Sequence, residues 1–267
     1  MVIKRDGHIH TPYCPHGSAD SLDAYVQQAL NTGLTDITFT EHAPLPGGFI
    51  DPVPEKDSAM RAEDLLPYIE AVRSLQSHYE DQIRIRIGLE VDFIEGYEKE
   101  TKEFLNAIGP QIDDAILSVH FLKTKDGYWC LDYHEDTFHK LISSAGSLKK
   151  VYQLYYETVI QSVQADLGRF KPERVGHMTL VHKFQKLFPA DFNDSYFIDE
   201  VLQEVQKNNM SLDVNTAGLL KKHCREHYPP AGTLKKAQAL HIPFVYGSDA
   251  HASSGVGGER EKVADYF

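Results

Sequence analysis

No apolar run in the chain approaches the ~18 residues that a membrane-spanning helix needs. A polar strand also begins before a signal-type apolar region could fit at the amino terminus. The expectation is a cytoplasmic protein with no membrane partner. Cysteine is scarce: Cys14, Cys130 and Cys224 are odd in number and far apart, with no C-x-x-C pair. That excludes a disulfide framework and gives no sign of a thiolate zinc site, so the three read as reduced thiols. Positive charge is in deficit, with 27 Lys and Arg against 39 Asp and Glu for a net charge of −12. Such a surface repels phosphate backbones, so nucleic acid is not expected as a partner. No Pro/Ser-rich linker or break in composition divides the chain, and residues 1–267 are expected to form a single domain. The apolar content of 42% is enough for one large core. The oligomeric state is left open.

Histidine is the residue present in excess, with 14 copies. The first two stand in Asp6-Gly7-His8-Ile9-His10. In a strand, residues two apart point to one face, so His8 and His10 would aim two imidazoles at one point. Asp249-Ala250-His251 repeats that spacing near the other end of the chain.

Strand and helix signals alternate between these two points. Apolar positions Leu22, Tyr25, Val26, Ala29 and Leu30 have helical spacing, with Asp20 or Ser21 as the cap and Gly33 at the left-handed end. Asp36 to Thr40 reads as a strand leading into Glu41-His42, and a Pro/Gly-rich excursion through Pro54 reads as a lid or pocket wall. A helix is expected over about 64–79, then the alternating run Arg84 to Asp92, which ends with Glu90 on its polar face. A shorter helix follows over 97–108, then a strand from Ala115 to Phe121 bearing His120 and a turn around Lys125 to Tyr128. The segment onward to Ser144 shows no clear period. The strongest helix begins at Ser147. Arg174 to His177 and Ser211 to Asn215 read as strands, with a helix between them capped by Asp194 or Ser195. A helix is expected after Gly232, and the strand from Pro243 to Gly247 leads into Asp249 and His251. Seven strands alternating with helices argue for a parallel α/β barrel, whose chemistry lies at the carboxyl ends of its strands.

His8, His10, His16, His42, Glu90, His120, His177, Asp249 and His251 are nitrogen and oxygen donors at those ends or in adjacent loops. One ion takes four to six ligands, so nine imply more than one ion. Imidazole and carboxylate donors suit zinc, manganese or iron engaged in hydrolysis.

The ordered set D-x-H-x-H, His16 six residues on, Thr40-Glu41-His42, Gly88-Leu89-Glu90, Ser118-Val119-His120, Gly176-His177 and Asp249-Ala250-His251 resembles the PHP superfamily. The name covers polymerase-associated and histidinol-phosphatase domains. The resemblance implies a distorted seven-stranded (β/α) barrel with a metal site of two or three ions at the carboxyl ends of its strands. By the same resemblance, His8 and His10 bind one metal with Glu90 and Asp249. Glu90 bridges to a second ion held by His120 and His177, and His16, His42 and His251 hold the third. Glu90, Asp249 and His177 are the expected catalytic residues, acting on a bridging water nucleophile. Lys183 and Ser253 are candidates for substrate-phosphate contacts.

Within the superfamily, the strings Val175-Gly176-His177-Met178-Thr179-Leu180 and Val214-Asn215-Thr216-Ala217-Gly218 are similar to the free-standing histidinol-phosphate phosphatases. The implied reaction is hydrolysis of L-histidinol phosphate in histidine biosynthesis. Another small phosphate ester or nucleotide is the alternative substrate. A metal-binding domain without turnover would be expected to have lost ligand positions, and all nine are filled. The amidohydrolase barrel also uses H-x-H, but its later lysine has no counterpart here. Two positions depart from the superfamily pattern: Glu41 stands where Asp is more frequent, and Thr179 stands where Asp often supports the histidine equivalent to His177.

Overall fold

The structure, a computed structural model, describes residues 2–267. Its strands are β1 (Arg5–Ile9), β2 (Asp36–His42), β3 (Arg84–Asp92), β4 (Asp114–Ser118), β5 (Phe121–Thr124), β6 (Gly127–Cys130), β7 (Arg174–Val175), β8 (Ser211–Asn215) and β9 (Phe244–Gly247). The helices are α1 (Leu22–Asn31), α2 (Leu65–His78), α3 (Glu98–Ile108), α4 (Glu135–Ala145), α5 (Leu148–Gln164), α6 (Ser195–Lys207), α7 (Ala217–Leu220) and α8 (Ala231–Ala239). Seven strands run parallel in the order β1-β2-β3-β4-β7-β8-β9. The two edges then meet: His10 N–H donates to Ala250 O at 3.0 Å and Asp249 N–H to His8 O at 2.8 Å. The sheet is therefore a nearly closed barrel, as the alternation of elements predicts. Its distortion has local sources, a register shift in β1 between Asp6 and Ile9 and a β7 of only two residues.

Helix ends follow the side chains that cap them. Ser21 accepts from Ala24 N–H to start α1, leaving Asp20 free for another role. Ser147 accepts from Lys150 N–H at the start of α5, whose stripe Val151, Tyr152, Tyr155, Tyr156, Val159 and Val163 is buried. Gly33 takes the positive φ of +77° that its place after α1 requires. At α6 the first amide of the helix, Ser195 N–H, is met by Asn193, and Asp194 instead accepts from Tyr156 and His182.

Three expectations are corrected. β4 ends at Ser118 rather than Phe121, because the chain kinks at Val119-His120 and reverses as the antiparallel hairpin β5–β6. Helix α4 lies in the stretch without an evident period, burying Phe138 and Leu141. Helix α8 starts at Ala231, so Gly232 belongs to its first turn.

Polar side chains meet at the amino-terminal end of the strands, some between neighbours in the sheet and some, from β1 to β4 and from β7 to β1, across the barrel interior. At the amino-terminal floor, Arg5 of β1 reaches Asp114 of β4 at 2.5 Å, and Arg174 of β7 reaches the same carboxylate at 2.8 Å and Gly7 O at 3.0 Å. Arg86 pairs with Asp36 at 2.8 Å on the same level. Above the floor, Gly247 makes room for His8 and Asp213, since a Cβ there would overlap both side chains. The apolar core lies outside the barrel, between the strands and helices, with Ile37, Phe39, Leu89, Tyr68 and Tyr155 among its fully buried members.

Candidate metal centre

The strand ends deliver their donors to one place. Glu90, 1% exposed near the end of β3, is the hub. Its Oε1 lies 3.0 Å from His177 Nε2 and 3.8 Å from His120 Nε2. Its Oε2 lies 3.3 Å from His8 Nε2, 3.5 Å from His10 Nε2 and 3.2 Å from His42 Nδ1. One carboxylate thus presents each oxygen to a different set of imidazoles. Asp249, held in the left-handed region at φ +55°, places Oδ1 3.1 Å from His10 Nε2 and 3.7 Å from His8 Nε2.

The donors fall into three clusters of ligand atoms within 4.8 Å of one another: His8, His10 and Asp249; Glu90, His120 and His177; and His10, Cys14, His42 and His251. His16 borders the third, with its ring centre 5.3 Å from His42 and 5.1 Å from His251. The structure therefore brings together every nitrogen and oxygen donor expected from sequence, and adds a sulfur.

The outward nitrogens of these rings are held by protein acceptors. His8 Nδ1 meets Asp213 at 2.8 Å, His120 Nδ1 meets Asp92 at 2.8 Å, and His10 Nδ1 meets Glu41 at 3.3 Å. His16 Nδ1 meets Asp57 O at 2.9 Å, and His251 Nδ1 meets Asp249 O at 3.1 Å. Such partners fix the tautomer that leaves Nε2 free to ligate, the usual arrangement around a metal-bound imidazole. Asn215 orients Asp213 and Asp249 together, at 3.2 and 3.1 Å. Sequence reasoning missed Asp92 and Asp213. Their signal was present, because Asp92 follows Glu90 by two residues and Asp213 precedes Asn215 by two, on the same strand face. Glu41 accepts from His42 N–H and from Thr11, and it supports His10. Thr179 gives His177 no support: His177 Nδ1 and Thr179 Oγ1 are both buried without a partner.

The inward nitrogens behave differently. His8 Nε2, His10 Nε2 and His42 Nδ1 are buried and make no hydrogen bond, although each lies within 3.5 Å of Glu90 Oε2. Buried polar atoms are ordinarily paired. Nitrogen lone pairs and carboxylate oxygens converging on shared points are what a cation requires, so these residues fit a metal. Electrostatics agree. Burial opposes the charge on Glu90, but His8, His42 and His177 hold its carboxyl well below the usual range. Burial likewise pulls His10 and His120 down, yet Asp249 and Glu41 raise His10 to about 9, and Asp92 and Glu90 raise His120 to about 10. Burial and the neighbouring His10 lower His251 to about 3.

Around this centre lies a cavity of about 1040 Å³, walled by Val53, Asp57, Tyr133, Lys183, Lys221 and Glu259 among others. The Pro/Gly-rich excursion is a packed wall, with Leu45, Phe49 and Val53 set against Phe121 and Tyr128 of the hairpin. Lys183 faces the cavity and pairs with Asp132 at 2.9 Å. Ser253 is not brought to it: its N–H and Oγ both donate to Asp20 Oδ2, at 2.9 and 2.8 Å, while Ser254 lines the wall. Among the described residues no helix is long and apolar enough to cross a membrane.

Comparison with known proteins bears on this geometry. The PHP domain model matches residues 6–217. The chain is 50% identical over 256 residues to the histidinol-phosphatase of Bacillus subtilis, covering 95% of this chain and 96% of that one. A crystal structure of a candidate histidinol phosphatase from Listeria monocytogenes superposes with a TM-score of 0.94 at 38% identity, covering 97% of this chain and 99% of that one. The histidinol phosphate phosphatase of Lactococcus lactis, solved with zinc, L-histidinol and phosphate, shares the fold with a TM-score of 0.70 at 18% identity, over 98% of this chain and 93% of that one. The chain belongs to the PHP domain family.

Proposed function

We infer that this chain is a metal-dependent histidinol-phosphatase, hydrolysing L-histidinol phosphate to L-histidinol and phosphate in histidine biosynthesis. The observation that carries the metal chemistry is Glu90, one buried carboxylate with its two oxygens facing separate imidazole sets. His8, His10, Asp249 and Glu90 would hold one ion, and Glu90, His120 and His177 a second. His16, His42 and His251 would hold a third, with zinc, manganese or iron suited to these donors. Zinc in the Lactococcus lactis protein supports that choice. When bound, such ions supply positive charge for phosphate oxygens and lower the pKa of a water nucleophile.

The chain's own part is positional. Asp213, Asp92 and Glu41 keep the outward nitrogens of His8, His120 and His10 occupied, so their inward lone pairs stay aimed at the ions. Glu90, Asp249 and His177 act as the catalytic residues by fixing the geometry in which the phosphoryl group is attacked in line. Lys183, its charge held beside Asp132, is the proposed side-chain contact for the phosphate from the cavity wall. The wall from Ala43 to Pro54 sets the preference for histidinol phosphate over simpler esters, because metals recognise only the phosphate. A cytoplasmic location completes this reading.

The test is phosphate release from L-histidinol phosphate, p-nitrophenyl phosphate and a nucleotide panel, with elemental analysis of the same samples. The reading expects the highest kcat/KM on L-histidinol phosphate and more than one ion per chain. A nucleotide or another small ester hydrolysed more efficiently would replace the substrate assignment and leave the metal chemistry in place.

A further inference from the structure

The sulfur in the third cluster has no role in the reading above. Cys14 Sγ and one ligand atom each of His10, His42 and His251 lie within 4.8 Å of one another. The side chain is 3% exposed and forms no disulfide. Its loop is tight: Cys14 N–H donates to Thr11 O at 3.0 Å, and Gly17 N–H donates to Cys14 O at 3.1 Å. Burial and the Glu41 carboxylate push the Cys14 thiol up, against a smaller opposing effect of the His16 and Gly17 amides. The same loop delivers His16 to the cluster two residues later.

The plain alternative is that Cys14 is a small buried apolar side chain, the commonest fate of a free cysteine. The other two buried cysteines fit that description. Cys130 Sγ donates to Asp132 and Cys224 Sγ to Glu226 O, and among the described residues neither joins a group of metal donors. Cys14 differs in having three imidazoles within reach, two of them with inward nitrogens that are buried and unpartnered, His10 Nε2 and His42 Nδ1.

We propose that Cys14 is a ligand of the third ion, beside His16, His42 and His251, and gives that position a sulfur donor that favours zinc. The proposal rests on the reading that this cluster holds an ion. His10 remains with the first ion, where Asp249 and Glu90 already face its Nε2. Ligation exchanges the S–H bond for a sulfur–metal bond and releases that proton to solvent. A zinc ion with bonds of about 2.3 Å to sulfur and about 2.0 Å to nitrogen spaces its ligand atoms by about 3.5 Å. A soft thiolate selects zinc over manganese at this position alone, so the three ions would differ in identity as well as in affinity.

The test is zinc X-ray absorption spectroscopy of the fully loaded wild-type protein, Cys14→Ser and Cys130→Ser, with cobalt substitution as an optical check. The proposal expects one sulfur neighbour at about 2.3 Å and a thiolate-to-cobalt charge-transfer band. Both should vanish in Cys14→Ser and persist in Cys130→Ser. In Cys14→Ser the dissociation constant of one ion should rise at least tenfold while the other two are unchanged. A wild-type shell of nitrogen and oxygen only, a sulfur neighbour that survives Cys14→Ser, or saturation at two ions without sulfur would overturn it. If Cys14→Ser does not fold, the wild-type and Cys130→Ser spectra still decide. Phosphate release measured on the same samples separates the two readings. Turnover without sulfur would sink the ligand alone, and sulfur without turnover would sink the phosphatase and leave the ligand.

Discussion

At the floor of the barrel, Arg5, Arg86 and Arg174 meet Asp36 and Asp114 in bonds of 2.5 to 2.8 Å. At the mouth, about a strand's length away, His8, His10 and His42 turn nitrogens toward one another and toward Glu90 without bonding. Both ends are polar and buried, and the difference lies in what their donors can do. A guanidinium has only N–H donors and cannot ligate a cation, so the unpartnered Nε and Nη1 of Arg174 mark no ion site, and the residue holds the floor through Nη2 alone. A neutral imidazole with its outer nitrogen held by a carboxylate offers an inward lone pair. Barrel strands thus begin in a structural ion-pair layer and end in a reactive one, and variants at the two ends should fail differently.

Chelation is the widest test of that division. Exhaustive removal of metal should abolish phosphate release while the far-ultraviolet circular dichroism spectrum keeps its shape, because the core and the floor fold without ions. Unfolding on chelation would merge the two ends into one structural system. Next in size is Glu90→Gln, which keeps shape and removes the charge shared by two imidazole sets. Steady-state kinetics should show kcat lower by at least about a thousandfold, roughly 4 kcal/mol of barrier.

The reciprocal change at the floor, Arg174→Met, leaves Asp114 with one guanidinium fewer in a buried layer. Denaturant titration should show a loss of about 3 kcal/mol, with metal content and kcat per folded molecule unchanged. A drop in metal content would couple floor to mouth. A stability loss no larger than that of Arg174→Met, and dependent on pH, belongs to a histidine outside both ends. His182 has carboxylates on both nitrogens, Glu226 at 2.6 Å and Asp194 at 2.8 Å, and these outweigh burial to raise it to about 9. A raised folded-state pKa gives stability that is complete below about pH 6.5 and is lost as pH rises toward 9. Melts across that window should fall by up to about 3 kcal/mol, and His182→Gln should flatten the slope. An unchanged slope would show that the pair contributes nothing.

This comparison also shows what was legible in the sequence. Alternation of strand and helix gave the barrel, and same-face spacing at strand ends gave the donors, because both depend on residues close in sequence. His8 and His10 needed no partner to be noticed. The floor went unremarked, since Arg5, Asp114 and Arg174 come from three distant strands and become a layer only on closure. Ala115 to Phe121 is continuously strand-like in composition, yet the chain must bend at His120 to bring that ring to Glu90. Helix α4 carries its signal in Phe138, Leu141, Ile142 and Ala145 at helical spacing, closed by Gly146 at φ +94°. Cys14 reads as a plain reduced thiol in the sequence, because cysteine spacing along the chain says nothing of histidines arriving from β2 and the end of β9. Ser253 stands only four residues beyond Asp249, yet its hydroxyl and amide are taken by Asp20, which no spacing along the chain foretells.

The central claim is that Glu90 joins two ion positions while His16 serves only one. The most direct test is the number of ions per chain by elemental analysis in purified Glu90→Gln and His16→Ala against wild type. The account predicts that Glu90→Gln loses more than one ion and His16→Ala no more than one. Equal losses, or a greater loss from His16→Ala, would contradict it.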